Sequence, residues 1–146
     1  MYYLGIDVGK SGAFAILKDH EIQTYGKFEP KAFINACYWL SRQQEKTVCA
    51  IEKVGAMPHQ GLVSTFTFGE NFGWLKGVLE ALEIPYQEIR PQTWKKEFGL
   101  NSKKEDSISV ARQLFPDANL VPEGHRKEDH NLAEALLLSM YAMRKL

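Results

Sequence analysis

The sequence predicts an α/β domain with a mixed five-stranded sheet and helices on both faces. Three observations lead there. Three short β-prone runs follow one another at the start with only tight turns between them. Two further strand-like runs come later, each after a segment of helical periodicity, and the last segment is apolar on most faces, as a helix buried against a sheet must be.

The elements follow in order. Tyr2 to Val8 is strand-like and ends at Gly9, and after a glycine-containing turn Gly12 to Leu17 forms a hairpin with it. Lys18-Asp19-His20 is a polar turn into a third strand, Glu21 to Tyr25. Pro30 opens a helix with Phe33, Ala36, Cys37 and Leu40 on one face. Thr47 to Glu52, β-branched and apolar, reads as a buried strand, followed by a loop with Gly55, Pro58 and Gly61. Phe66 to Leu82 reads as a helix, Ile84 to Ile89 as a fifth strand, Thr93 to Phe98 as a short helix and Lys103 to Phe115 as a longer one. A polar loop spans Pro116 to Lys127, and Asn131 to Lys145 forms the final, largely buried helix. No internal repeat or linker interrupts this order.

At 146 residues the chain is expected to be one domain, residues 1–146, large enough for a single core. Hydrophobic residues at 45% and charged residues at 25% exclude a disordered or fibrous chain. The longest apolar stretches, Phe33 to Leu40 and Leu136 to Met143, are interrupted by Asn35 and Ser139, so no membrane span is expected. No basic region followed by an apolar one marks a secretory signal. Cys37 and Cys49 sit inside apolar segments, which predicts free thiols in a reducing cytoplasm and no disulfide. Eighteen Lys and Arg balance eighteen Asp and Glu, so bulk charge gives no pointer to a nucleic acid. The distribution is uneven: Arg90, Lys95, Lys96, Lys103 and Lys104 oppose only Glu97, a local excess of four positive charges that taken alone reads as a solvated surface and otherwise as a phosphate-binding stretch.

Asp7 ends the first strand and Glu52 the fourth, and functional groups of open α/β sheets gather at such carboxyl ends. Each follows an apolar run that holds its backbone rigid. Sheet pairing can bring the two acids together, and like charges at short range need a cation to neutralise them. A third cluster, Glu128-Asp129-His130-Asn131-Leu132-Ala133-Glu134, lies at the start of the last helix. There Asn131 and Glu134 match a capping box. The competing reading sends Glu134 to the cation, with Asp129 or His130 reaching it from just before the helix. Such oxygen-rich sites suit Mg²⁺, and paired ions of this kind support phosphodiester hydrolysis. Cys-rich zinc spacing is absent.

Asp7 in Leu-Gly-Ile-Asp-Val-Gly, Glu52 in Ala-Ile-Glu-Lys-Val, and Asp129 to Leu138 with Ala-Glu-Ala-Leu-Leu-Leu together resemble the RuvC-like Holliday junction resolvases, particularly short phage-type members. The segments Glu52-Lys-Val-Gly-Ala-Met-Pro-His-Gln-Gly, Phe68-Gly-Glu-Asn-Phe-Gly and Arg90-Pro-Gln-Thr-Trp-Lys-Lys extend the resemblance over nearly the whole chain. It implies an RNase H-like fold, a homodimer, and Mg²⁺- or Mn²⁺-dependent cleavage of branched DNA such as a four-way junction, in a bacterial host's cytoplasm if the chain is phage-encoded. Carried over, Asp7, Glu52, Asp129 and Glu134 are the catalytic metal ligands. Relatives often have two adjacent acids where this chain has Asp129-His130, which leaves Asp129, His130 and Asn131 as alternatives for the fourth ligand.

Several residues are candidates for holding DNA. Gln60, Phe66 and Phe68 follow the Glu52 strand near two glycines, where an aromatic can meet an unstacked base, although Phe66, Phe68, Phe72 and Trp74 also fit a helix core. Trp94, with Lys95 and Lys96, offers an aromatic beside two phosphate contacts, and Arg90, Lys103 and Lys104 extend that cationic stretch. Lys10 and Ser11 in the first turn, and Arg126 and Lys127 beside the last cluster, add polar and cationic groups near the acids. Three other readings compete: an actin-like ATPase or sugar kinase, whose phosphate loop Asp7-Val-Gly-Lys-Ser-Gly resembles but which needs a second domain; a non-catalytic DNA-binding module; and an RNase H-like nuclease acting on RNA.

Overall fold

A computed structural model of the chain describes residues 1–9, 11–56, 58–100 and 104–146, with 104 and 105 described by their backbone alone. Lys10 and Lys103, and the side chain of Lys104, lie outside the described residues. The strands are β1 (Tyr2–Asp7), β2 (Ala13–Lys18), β3 (Glu21–Lys27), β4 (Thr47–Glu52) and β5 (Tyr86–Ile89), and the helices are α1 (Pro30–Ser41), α2 (Leu62–Ala81), α3 (Pro91–Glu97), α4 (Lys104–Leu114) and α5 (His130–Lys145). The sheet order is β3-β2-β1-β4-β5. β1 pairs antiparallel with β2 and parallel with β4, and β4 pairs parallel with β5, so the sheet is mixed.

Both faces of the sheet are covered. Leu4, Ile6, Phe14, Ile16, Cys49 and Ile51 pack on one side against α1 and α2 through Phe33, Cys37, Phe72 and Leu79. The other side packs against α5, whose residues from Leu132 to Ala142 are all buried, with Trp94 of α3 and Ala111 of α4 beside it. The alternation of strand residues between two apolar layers is why β1 reads as nearly continuously hydrophobic. Both cysteines are buried free thiols, and burial pushes that of Cys37 up to about 12. Among the described residues, no helix is long and apolar enough to cross a membrane.

Two glycines set the close approaches near the carboxyl end of β1. A Cβ on Gly5 would fall 2.2 Å from the backbone nitrogen of Ser139 and 2.4 Å from the carbonyl oxygen of Ala135, so α5 lies directly against β1. A Cβ on Gly12 would fall 2.3 Å from the carbonyl oxygen of Asp7, where the turn folds back over the strand end.

The structure corrects two boundaries with functional weight. Helix α2 begins at Leu62, four residues before the expected start at Phe66, so Phe66 and Phe68 stand in its second turn and not at its beginning. Gly61 takes the N-cap position in extended conformation and its carbonyl accepts from the Thr65 amide and hydroxyl. The exposed first turn Leu-Val-Ser-Thr shows no apolar periodicity from which the sequence could place that start. Strand β3 runs on through Gly26 to Lys27, which brings the lysine beside the end of β1.

Candidate metal centre and cationic cleft

Parallel pairing of β1 with β4 aligns Ile6 with Ile51, so the next residues, Asp7 and Glu52, end adjacent strands side by side. Glu134 reaches the same point from the first turns of α5, which the Gly5 contact holds against β1. One carboxylate oxygen from each of the three lies within 4.8 Å of the others. Asp7 and Glu134 are buried and Glu52 half-buried.

Burial, and then repulsion from Glu52 and Glu134, holds the Asp7 carboxyl well above its ordinary value. Its Oδ2 is buried without a hydrogen-bond partner. Glu52 is also raised, chiefly by burial, against the opposing effect of a hydrogen bond from Trp94 Nε1 to its Oε2 at 2.9 Å. Ser107 of α4 donates to Glu134 Oε1 at 3.4 Å, and Lys95 Nζ lies 3.9 Å from the same oxygen. Three converging carboxylates with an orphaned buried oxygen are a costly arrangement alone, and an all-oxygen donor set of this kind fits a hard divalent cation.

Asp129 stands outside this group. It is the N-cap of α5, its Oδ1 accepting from the amides of Asn131 at 2.8 Å and Leu132 at 3.1 Å. The capping box read from Asn131 and Glu134 is therefore replaced by a cap two residues earlier, at Asp129, which frees Glu134 for the carboxylate cluster. Lys27 Nζ lies 3.2 Å from Asp129 Oδ1 and 3.0 Å from Oδ2, and donates also to the carbonyl of Ser11. Burial works to raise the Asp129 carboxyl, but Lys27 and the amides of Leu132 and Asn131 prevail and hold it below its ordinary value. His130, half-buried, is the first residue of α5 and is not among the converging ligand atoms.

Beside the carboxylates opens a cleft of about 1120 Å³ whose lining includes Glu52, Lys53, Phe68, Arg90, Lys95 and Lys96. Lys95 lies over the Trp94 ring at 5.6 Å from its centroid. Trp94 itself is fully buried, so its ring offers no exposed face for the stacking expected of it; its indole N–H is turned toward Glu52. Phe68 is half-buried at the cleft wall, while Phe66 is 70% exposed one turn before the buried part of α2. Gln60 is half-buried just ahead of α2, and Ser11, Arg126 and Lys127 are exposed.

Sequence reasoning missed Lys27, Ser107 and the orienting role of Trp94. An alternating strand pattern extended past Gly26 would have found Lys27; nothing local marks Ser107.

Neither a protein-family model nor a curated protein matches the chain. Solved structures do. The structure of Thermus thermophilus RuvC matches over 96% of this chain and 92% of that one, at a TM-score of 0.63 and 15% identity. The same organism's RuvC in complex with a Holliday junction substrate matches over 96% and 90%, at 0.62 and 15%. At this identity the likeness establishes the fold, and it is the RNase H-like fold expected from the sequence.

Proposed function

We propose that the chain is a divalent-metal-dependent endonuclease that cuts four-way DNA junctions and related branched DNA. The convergence of Asp7, Glu52 and Glu134 at the carboxyl ends of β1 and β4 carries this reading, because two buried acids and a half-buried one beside a cationic cleft suit a cation and a phosphodiester together. The likeness of fold to a RuvC solved with a Holliday junction supports the choice of substrate.

Asp7, Glu52 and Glu134 would hold Mg²⁺ or Mn²⁺. When bound, the ion supplies Lewis acidity at a phosphate oxygen and lowers the pKa of water. The chain's own groups do the rest. Trp94 fixes the rotamer of Glu52, and Ser107 with Lys95 fixes that of Glu134, so the oxygens are held in place before substrate arrives. Lys53, Arg90, Lys95 and Lys96 along the cleft would grip backbone phosphates and set the strand's path without reading its sequence. Phe66, exposed on α2 together with Leu62 and Val63, leaves an apolar face for a second copy or for unstacked bases at the branch. A two-fold dimer would place one site on each of two equivalent strands.

The test is cleavage of a synthetic four-way junction against matched linear duplex and RNA·DNA hybrid, with and without Mg²⁺. Metal-dependent cutting of the junction, lost in Asp7→Asn with junction binding retained, is expected. Preferential cutting of the hybrid, or full activity in Asp7→Asn, would overturn the assignment.

A further inference from the structure

We propose that the Lys27 ammonium occupies, on the Asp129 side of the site, the place of a second cation, so that the chain holds one divalent ion and takes a second only when Lys27 is removed. This rests on the reading of Asp7, Glu52 and Glu134 as a metal site.

Asp129 caps the same helix that delivers Glu134, and through Lys27 it is tied to Ser11 in the turn that follows Asp7, yet its oxygens are already engaged. Oδ1 takes two backbone amides and Lys27; Oδ2 takes Lys27. The ammonium is anchored a third time by the Ser11 carbonyl in the turn that follows Asp7, and its side chain is only 28% exposed. Lys27 is thus fixed from the β1–β2 turn and from the N-cap of α5, where a flexible surface lysine would wander. A divalent ion seeking Asp129 Oδ2 has to expel a cation from that oxygen and accept it as a close neighbour. An ammonium is a compact point charge that supplies positive potential at a fixed place without needing ligands of its own. Removing it leaves the partly buried Asp129 carboxylate without its ion-pair partner, and such a charge takes up another cation.

The experiment counts ions. Mn²⁺ is titrated by calorimetry and electron paramagnetic resonance into the full chain, Lys27→Met, Lys27→Gln, Lys27→Arg and the double variant Lys27→Met/Asp129→Asn, without DNA. One ion per chain is expected for the wild type and Lys27→Arg, two for Lys27→Met or Lys27→Gln, and one again for the double variant, in which Asn keeps the cap but loses the charge. Two ions on the wild type, or one on both neutral variants when each is folded, would overturn the proposal. No ion on the wild type would instead bring down the metal site beneath it.

Discussion

Replacing Asp7 by Asn should make the metal-free protein more stable while removing its response to metal. Asp7 carries an oxygen buried without a partner and lies against two further carboxylates. An orphaned buried acceptor costs about 1–3 kcal/mol, and each kcal/mol moves the Tm of a domain this size by roughly 2–4 °C. Asn removes the charge and turns two N–H groups toward Glu52 and Glu134, so the metal-free Tm should rise by roughly 2–12 °C. Metal at a hundred times its Kd should add about 2.7 kcal/mol to the wild type and nothing to the variant. The pH dependence has a fixed sign. Because the folded-state pKa of Asp7 is raised above its unfolded value, the penalty is full at pH values above the folded pKa, shrinks as pH falls through it, and is gone below the ordinary carboxylate value of 3.8. Asp129, lowered in the fold, works the other way and loses its contribution in acid. Differential scanning fluorimetry from pH 8 down to about 5, in EDTA and then in Mg²⁺, measures all of this. An Asp7→Asn chain that melts at or below wild type in EDTA would refute the account of strain at this carboxylate.

Three further outcomes follow from the geometry. Trp94→Phe keeps the aromatic packing but deletes the 2.9 Å hydrogen bond to Glu52, and should weaken Mn²⁺ binding by about 10–100-fold in calorimetry; unchanged affinity would remove Trp94 from the site. Gly5→Ala drives a methyl into the backbone of α5 and should cost about 3 kcal/mol in urea denaturation, against which a loss under about 0.5 kcal/mol would show that α5 yields easily. Lys96→Ala and Arg90→Ala, both facing the cleft, should each reduce the slope of log K against log salt for junction binding in Ca²⁺ by about one; parallel salt lines would move the DNA path elsewhere.

The order of strands and helices was legible because short, nearly continuous apolar runs bounded by turn residues alternate with longer segments that continue past strand length. Asp7 and Glu52 were legible for the same reason: a charge that closes an apolar run stands out. Lys27 was not, since Gly26 breaks the strand pattern just before it, and its partner lies far away at the other end of the sequence. Trp94 between Arg90 and two lysines looked like a nucleic-acid contact; its burial comes from packing against α5 and the sheet, which no local pattern encodes. Asp129 and Asn131 are equally competent caps by residue type. Lys27 pairs with Asp129 at the position the structure chooses, and that distinction exists only in three dimensions.

Helix α5 lies across β1, β2 and β4 with its backbone touching Gly5, and it brings the last of the three acids to a strand made at the beginning of synthesis. A chain emerging from a ribosome folds its early segments first. Here the first five elements can pair and pack on one face while the other face of the sheet stays bare. Until α5 arrives, Asp7 and Glu52 have neither Glu134 beside them nor Asp129 to hold Lys27. A nascent or truncated chain without α5 therefore lacks the third carboxylate of the cluster, and under the proposed function it would bind no metal and cut no DNA.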